Sequence, residues 1–209
     1  MSKTVTAVHP VGNGAKETIA MESPYVVSVT IEGSASILFH RWNNEAIEEK
    51  ANAKKNSKAK KEDNIESYVY RNNSGEICIP GEYLRQATIH AARFKSDPRS
   101  PRKSASDLFK AGVVSLTELA SLGVKDWDYL DRRRVMIQRQ GITRMRPALL
   151  KGWRVTFDIQ VLTPEYIEPA LLHEVILQAG RLVGIGDFRP TFGRFFVVNY
   201  EVQQGGATK

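Results

Sequence analysis

Cysteine is almost absent from the chain, and long apolar runs are absent altogether. The single cysteine, Cys78, excludes an internal disulfide and a cysteine-based zinc cluster. No stretch is apolar for the roughly 18 residues that a membrane-spanning helix needs. The opening segment MSKTVTAVHPVGNGAKETIA lacks the apolar core of a signal peptide, so we expect a soluble, cytoplasmic protein.

Signatures of catalysis and of cofactor binding are also missing. The chain has neither a Ser-His-Asp order nor a phosphate loop of the Walker type. Gly184 and Gly186 follow a predicted helix rather than a strand, unlike a dinucleotide fingerprint. Asp126, Asp128 and Asp131 lack the Gly and Glu of a calcium loop and predict helix caps or surface charge more than a metal site. We therefore expect no cofactor and no metal ion.

Positive charge is what the chain has in excess. Its 209 residues include 30 Lys and Arg against 23 Asp and Glu, which gives a net charge of +7 at pH 7. An excess of this kind favours a polyanionic partner. The hydrophobic fraction of 42% is ample for the core of one large domain.

Composition divides the chain into one domain with insertions and two tails. Residues 1–23 are polar and predict a flexible arm, and residues 204–209 predict a disordered tail. The domain covers 24–203, with insertions at about 44–64 and 97–134. The first insertion has many lysines and few large apolar residues, so it is a solvated helix or loop, or a mobile contact for a nucleic-acid backbone.

The periodicity of apolar residues predicts the elements of that domain. Strands are expected at 25–31, 153–162 and 194–202, and helices at 82–94 and 167–183. One or more further strands lie between the two helices. The resulting β-α-β-β-α-β order is that of a ferredoxin-like α+β domain, an antiparallel sheet with two helices on one side.

The segment 179–202, AGRLVGIGDFRPTFGRFFVVNYEV, combines a glycine-rich turn with arginines and aromatic residues. Glycines occur where the backbone needs a positive φ or where another group approaches closely. Backbone donors, fixed positive charge and aromatic faces suit a phosphate-bearing polymer, although a helix cap and a turn also explain the glycines. The candidate contact residues here are Gly184, Gly186, Phe188, Arg189, Phe192, Gly193 and Arg194.

The densest basic region is 132–154, which has eight Lys or Arg residues and no acidic residue. Alternation at 135–138 predicts one strand and alternation at 153–162 predicts a second, with Gly141 in the turn that follows the first. Together they predict a β-hairpin with a positive surface. Because neighbouring strands hold the arginines close together, we expect a phosphate-contacting face. Its candidate residues are Arg139, Arg144, Arg146 and Arg154.

Two motifs and the order of elements resemble the RAMP superfamily of CRISPR-associated proteins. The stretch ICIPGEYLRQATIHAAR is similar to the signature that opens the first helix of that superfamily, and the loop GIGDFRPTFGRF is similar to its C-terminal glycine-rich loop. The matching residues are Ile79, Pro80, Gly81, Leu84, Arg85 and Arg93 in the first motif, and Gly184, Gly186, Gly193 and Arg194 in the second. The resemblance implies a ferredoxin-like (RRM-like) palm with inserted loops and a basic β-hairpin thumb.

Within the superfamily the chain resembles the backbone subunit that polymerises along a guide RNA, or a stand-alone or phage-encoded relative of it. The resemblance implies three kinds of partner: single-stranded RNA or DNA, further copies in a homo-oligomer or filament, and other effector-complex subunits. Target-cutting subunits use an aspartate after the first strand, where this chain has His40, Arg41, Trp42 and Asn43. Target cutting of that kind is therefore not expected.

These patterns predict a non-catalytic protein that binds single-stranded nucleic acid, RNA in preference to DNA, without sequence preference, and oligomerises along the strand. Arginines would contact phosphates, and Phe188, Phe192 or Trp42 would stack on bases. Contact residues predicted outside the loop and the hairpin are His40, Arg41, Trp42 and Arg85. One alternative is a metal-independent endoribonuclease that uses His40. Another is a phage assembly protein, or an inhibitor that mimics a CRISPR subunit.

Overall fold

The structure is a computed structural model that describes residues 6–8, 18–20, 23–41, 64–137 and 140–203. Three α-helices lie within these ranges: α1 Gly81–Ala92, α2 Ser106–Gly112 and α3 Pro169–Gln178. The strands are β1 Thr6–Val8, β2 Thr18–Ala20, β3 Tyr25–Gly33, β4 Ile37–Leu38, β5 Tyr70–Arg71, β6 Ile77–Pro80, β7 Ser96–Asp97, β8 Ser100–Ser104, β9 Val113–Ser115, β10 Leu119–Ser121, β11 Tyr129–Ile137, β12 Gln140–Leu149, β13 Arg154–Val161 and β14 Phe195–Gln203. The protein is therefore a mixed α+β protein with antiparallel sheets.

The central sheet has four antiparallel strands in the order β14-β3-β13-β9. Alternate residues of β3 and β13 are buried, because a strand turns every second side chain to the same face. Val29 and Phe157 face each other across this pair and are fully buried. Leu84 of α1 and Leu172 of α3 belong to the same core cluster, so both helices cover one face of the sheet.

The two long helices were predictable because their apolar residues recur every three or four positions. In α1 this face is Leu84, Ala87 and Ala91, all fully buried. The hydroxyl of Thr88, also on this face, donates to the Leu84 carbonyl at 2.8 Å, so burying it leaves no donor unsatisfied. The helix ends two residues before Phe94, where the predicted helix 82–94 ended, and the Phe94 side chain is 50% exposed.

The predicted basic hairpin exists, but one of its predicted strands is wrong. Strand β11 pairs with β12, in a register that runs from Tyr129 opposite Ala148 to Ile137 opposite Gln140. Gly141 therefore lies inside a strand, opposite Met136, rather than in a turn. The alternating strand β13 belongs to the central sheet, where all eight of its residues pair with β3. Alternation predicts a strand and its buried face, but the partner is set by the tertiary core.

The edge strand β9 lies inside the range 97–134 that was predicted to be an insertion. Its three residues pair with the end of β13, from Val113 opposite Val161 to Ser115 opposite Ile159. A strand of this length is too short to produce a period-two signal in the sequence. Before α1, a 3-10 helix, Ile65–Tyr68, leads into β5.

Several predictions fall outside the described ranges. They concern most of the lysine-rich segment 44–64, Trp42, Arg139 and the tail 204–209. The described parts of the N-terminal arm form the antiparallel pair β1 and β2. In the ranges that the structure describes, no helix combines the length and the apolar character needed to cross a membrane.

Candidate nucleic-acid interface

The glycine loop 184–193 and the basic hairpin meet on the two-residue strand β4. Leu38 of β4 pairs with Ala148 of β12, and its carbonyl oxygen accepts a hydrogen bond from the amide of Asp187 at 2.9 Å. Leu38, Ala148 and Phe192 are buried together in a small cluster of their own. Two regions that the sequence marked separately as basic and glycine-rich thus form one surface.

The glycines of the loop are explained by close approach of the chain itself. Gly184, Gly186 and Gly193 have φ values of +75°, +83° and +71°, which favour glycine. A Cβ atom on Gly193 would lie 1.7 Å from the carbonyl oxygen of Ile185, and one on Gly186 would lie 2.9 Å from that of Leu38. These positions shape the loop, and no ligand is needed to account for them.

The hairpin presents a row of charged side chains to the loop. Arg133 lies directly opposite Arg144, and Asp131 lies directly opposite Arg146. Like charges in opposite positions of a strand pair repel each other. The Arg133 Nε atom donates to Asp131 at 2.7 Å, and this hydrogen bond raises the pKa of the Arg133 guanidinium. The positive charge of Arg133, one member of the repelling pair, is thereby neutralised.

Arg146 is the buried member of the row. Its side chain is only 6% exposed, and its Nε atom forms an ion pair with the Asp187 carboxylate of the loop. The Arg146 Nη1 atom is buried without a hydrogen-bond acceptor among the described residues. Arg146 therefore joins hairpin to loop, and its donors do not face solvent as an ordinary phosphate contact would.

Arg144 is the cation that lacks an acidic partner. Its Nη1 atom lies 3.3 Å from His40 Nε2, and the opposite ring nitrogen of His40 lies 3.8 Å from Asp187. The His40 ring also makes an edge contact with Tyr68, at a centroid distance of 4.7 Å. In the part of the chain that the structure describes, no carboxylate pairs with Arg144, whereas Arg133 and Arg146 each have one. The cluster thus carries an excess of positive charge at Arg144.

The two loop phenylalanines have different environments. Phe188 is 40% exposed, with the guanidinium carbon atoms of Arg133 and Arg146 at 5.4 Å and 5.9 Å from its ring centroid. Phe192 is 9% exposed and lies under Arg133 at 4.5 Å. The Phe188 ring therefore has an exposed surface for stacking, whereas the Phe192 ring is buried in the small cluster with Leu38 and Ala148.

A group of tyrosines beside the loop was missed in the sequence. Arg41 lies over the ring of Tyr70 at 4.9 Å, and Tyr70 contacts Tyr83 edge-on at 6.3 Å. Burial, followed by the neighbouring Tyr70, raises the pKa of Tyr83 and keeps its hydroxyl protonated. The nearby Arg189 acts in the opposite direction. The alternating tyrosines of the sequence SYVYR could have indicated this aromatic group.

Two arginines that were predicted to contact nucleic acid, Arg85 and Arg154, form hydrogen bonds or ion pairs within the protein instead. The Arg85 guanidinium donates to the carbonyl oxygens of Val113 at 2.6 Å and Lys110 at 2.7 Å, so it ties α1 to the segment α2–β9. Arg154 forms an ion pair with Glu32 on the central sheet. Neither residue belongs to the surface formed by the hairpin and the loop, because a sequence pattern does not reveal which hydrogen-bond donors are already used.

The open face of the central sheet is not basic. Besides Glu32 it carries Asp158 of β13 and Glu201 of β14, against the single described cation Arg154. Phosphates would be repelled from such a surface.

The Arg194 side chain is exposed just before β14, and its carbonyl oxygen accepts hydrogen bonds from the amides of residues 34 and 35.

The acidic residues before the hairpin have structural partners. Asp128 accepts a hydrogen bond from the Leu150 amide at 2.7 Å, and Asp131 accepts one from Arg133. Over the described ranges, no three His, Cys, Asp or Glu side chains are grouped closely enough to hold a metal ion. The surface chemistry that remains is that of arginine, histidine and aromatic rings.

No family model matches the chain, and no curated protein matches it. Solved structures that align with the chain include Cmr6 from Pyrococcus furiosus, at 12% identity and a TM-score of 0.45, over 84% of this chain and 99% of that one. Another is the Csm3-Csm4 subcomplex in the type III-A CRISPR-Cas interference complex, at 12% identity and a TM-score of 0.39, over 88% of this chain and 80% of that one. At these TM-scores, neither structure supports a conclusion about the fold or the function of this chain.

Proposed function

We propose that the protein binds single-stranded nucleic acid, RNA in preference to DNA, on the surface where the basic hairpin meets the glycine loop. The observation that carries this proposal is Arg144, a half-buried guanidinium that faces Arg133 and has no carboxylate partner among the described residues. A phosphate beside Arg144 would accept charge-assisted hydrogen bonds and relieve the repulsion between the two arginines. The exposed ring of Phe188 offers a stacking surface next to it.

The same proposal includes a ferredoxin-like palm with the hairpin as its thumb. Numbered along the chain, the strands β3, β9, β13 and β14 stand in the order 4-1-3-2, with α1 and the short α2 between the first and second strands and α3 between the third and fourth. This arrangement supports the palm. The RAMP-like motif at Pro80 and Gly81, where α1 begins, supports a role in a CRISPR effector complex. In that role, copies of the chain would repeat along a guide strand.

Replacing Arg144 with glutamine should weaken binding of a 15-nucleotide oligouridylate about tenfold at 100 mM salt, because one charge-assisted phosphate contact is lost. The slope of log Kd against log salt should fall by about 0.7, the value for one phosphate contact to a single strand. Fluorescence anisotropy over a range of salt concentrations measures both quantities.

The matched control for that experiment is Arg154→Gln. Arg154 is also a strand arginine, but it pairs with Glu32 on the central sheet, so its loss should leave RNA affinity unchanged. Arg146 is unsuitable as a test of contact because it is buried against Asp187. Equal affinity of wild type and Arg144→Gln at every salt concentration would contradict the proposed surface.

A second candidate function, RNA cleavage without a metal ion, is favoured by the position of His40 between Asp187 and Arg144. A histidine can take the proton from a ribose 2′-hydroxyl while a neighbouring arginine stabilises the charged phosphorus centre. The attacking 2′-oxygen displaces the 5′-oxygen, which takes a proton from water as it leaves, so the products are a 2′,3′-cyclic phosphate and a 5′-hydroxyl end.

Cleavage of this kind should persist in EDTA, fail on an all-deoxy strand and fall at least 100-fold in His40→Ala. The control is His173→Ala, which should cleave as the wild type does. The His173 ring packs on Tyr200 of β14, at a centroid distance of 4.5 Å, and is not part of the proposed surface. Denaturing electrophoresis with end-group analysis identifies the products. RNA that stays intact with the wild-type protein, or cleavage that survives in His40→Ala, would dismiss this function.

A further inference from the structure

An open cleft of about 490 Å³ lies between the C-terminal end of α1 and the glycine loop. Phe188 lines this cleft, and its ring also lies close to the hairpin arginines Arg133 and Arg146. The cleft is therefore adjacent to the surface proposed above, yet its lining includes residues of α1 and of the segment before the loop, which the hairpin does not supply. The lining side chains that matter here are His90, Arg93, Leu182, Val183, Phe188 and Arg189.

The lining combines an apolar wall with positive charge. Leu182 is 51% exposed and Phe188 40% exposed, so both offer apolar surface to an occupant. Arg93 and Arg189 are exposed as well, and neither has a carboxylate partner within the described ranges. The one carboxylate of the cleft, Asp187, is already paired with Arg146. A flat, partly apolar group that carries an anion matches this combination.

Phe188 is held in the cleft by an unusual backbone. Its φ of +56° lies in the left-handed region, which a bulky residue rarely occupies, and it is the one non-glycine residue with positive φ that the described chain contains. Its carbonyl oxygen accepts the amide of Phe192 at 3.2 Å, which fixes the turn. Strain of this kind concentrates at ligand sites, where it holds a side chain ready for contact. Here it keeps an aromatic ring at the cleft instead of in the core.

We propose that the cleft binds one nucleotide of the strand, with the base against Phe188 and Leu182 and its phosphate between Arg93 and Arg189. Aromatic and aliphatic surfaces accept any base by stacking, whereas the guanidinium groups recognise the phosphate. The site rests on the proposed function, because the same strand would continue onto Arg144 of the hairpin. It extends the interface from the thumb to the end of α1.

The variants Arg93→Gln and Phe188→Ala test the cleft, with Arg181→Gln as the matched control. Arg181 is an exposed arginine next to Leu182 that does not line the cleft. Affinity for the oligouridylate should fall about fivefold in Arg93→Gln and about tenfold in Phe188→Ala, and should not change in Arg181→Gln. Circular dichroism of each variant verifies that the fold is retained.

A free nucleotide separates the cleft from the rest of the interface. Saturation-transfer NMR should show transfer to the base protons of 5′-AMP with the wild type and with Arg181→Gln, and a clear loss with Phe188→Ala. If the wild type binds RNA but the cleft variants bind RNA and 5′-AMP as tightly as it does, the cleft site is wrong while the proposed function survives. If the variants lose 5′-AMP but keep full RNA affinity, the cleft does not hold a nucleotide of the strand. RNA binding by no form of the protein would instead overturn the proposed function.

Discussion

Replacing Gly193 with alanine should lower the free energy of unfolding by about 2–5 kcal/mol, the sum of left-handed backbone strain and overpacking. The added Cβ would lie 1.7 Å from the carbonyl oxygen of Ile185, and backbone atoms cannot move aside as a flexible side chain can. The Gly193 amide also donates to Ser36 at 2.8 Å, so a shift of the loop costs a hydrogen bond as well. Urea unfolding followed by circular dichroism measures the change.

Gly75→Ala is the control that isolates backbone strain. Gly75 has a φ of +78°, close to that of Gly193, but no heavy atom lies within 4 Å of the position of its Cβ. Its substitution should cost about 1–2 kcal/mol, the strain of a left-handed residue alone. Equal losses in the two variants would mean that the close approach at Gly193 is relieved without cost.

The ion pair between Arg146 and Asp187 should show a coupling energy of about 1–3 kcal/mol in a double-mutant cycle. Arg146→Met alone should destabilise by about 2–3 kcal/mol, less than for a fully buried pair, because Asp187 keeps some contact with water. The side chains are 6% and 30% exposed respectively. Unfolding free energies of Arg146→Met, Asp187→Asn and the double variant complete the cycle.

The exposed pair of Arg154 and Glu32 supplies the comparison. Its arginine side chain is 63% exposed, so the same cycle should give less than about 1 kcal/mol. A coupling energy at Arg146 no larger than at Arg154 would mean that the hairpin and the loop are not joined by this ion pair.

The helices and the buried strands were predictable because each depends on a local pattern. In α1 the spacing of Leu84, Ala87 and Ala91 already defines the buried face, and in β13 the alternation of Val155, Phe157 and Ile159 does the same. The edge strand β9 was not predictable, since three residues give no period. The pairing of β11 with β12 was not predictable either, because alternation is blind to the partner strand.

The grouping of the candidate site residues was not predictable from the sequence. The structure brings His40, Arg144 and Arg146 together with the loop, although the sequence marked the hairpin and the loop as separate regions. It also shows that Phe192 is buried and that Arg85 donates to the carbonyl oxygens of Val113 and Lys110 as well as to Glu82. The contacts that bury Phe192 and the two carbonyl contacts of Arg85 come from residues distant in sequence. Asp131 neutralises Arg133, although Asp131 lies just outside the basic region 132–154.

The two-residue strand β4 makes the two halves of the interface open and close together. Leu38 holds β12 through its strand pairing and holds the loop through the amide of Asp187, so neither half can detach while the other stays fixed to β4. Local opening should therefore be concerted, with the amide of Phe39, which donates to Pro147 of β12, and the amide of Asp187 exchanging hydrogen at similar rates. A ligand that stiffens the hairpin then lowers the entropic cost of ordering the loop. The affinity of the hairpin for that ligand is therefore linked to the rigidity of the loop.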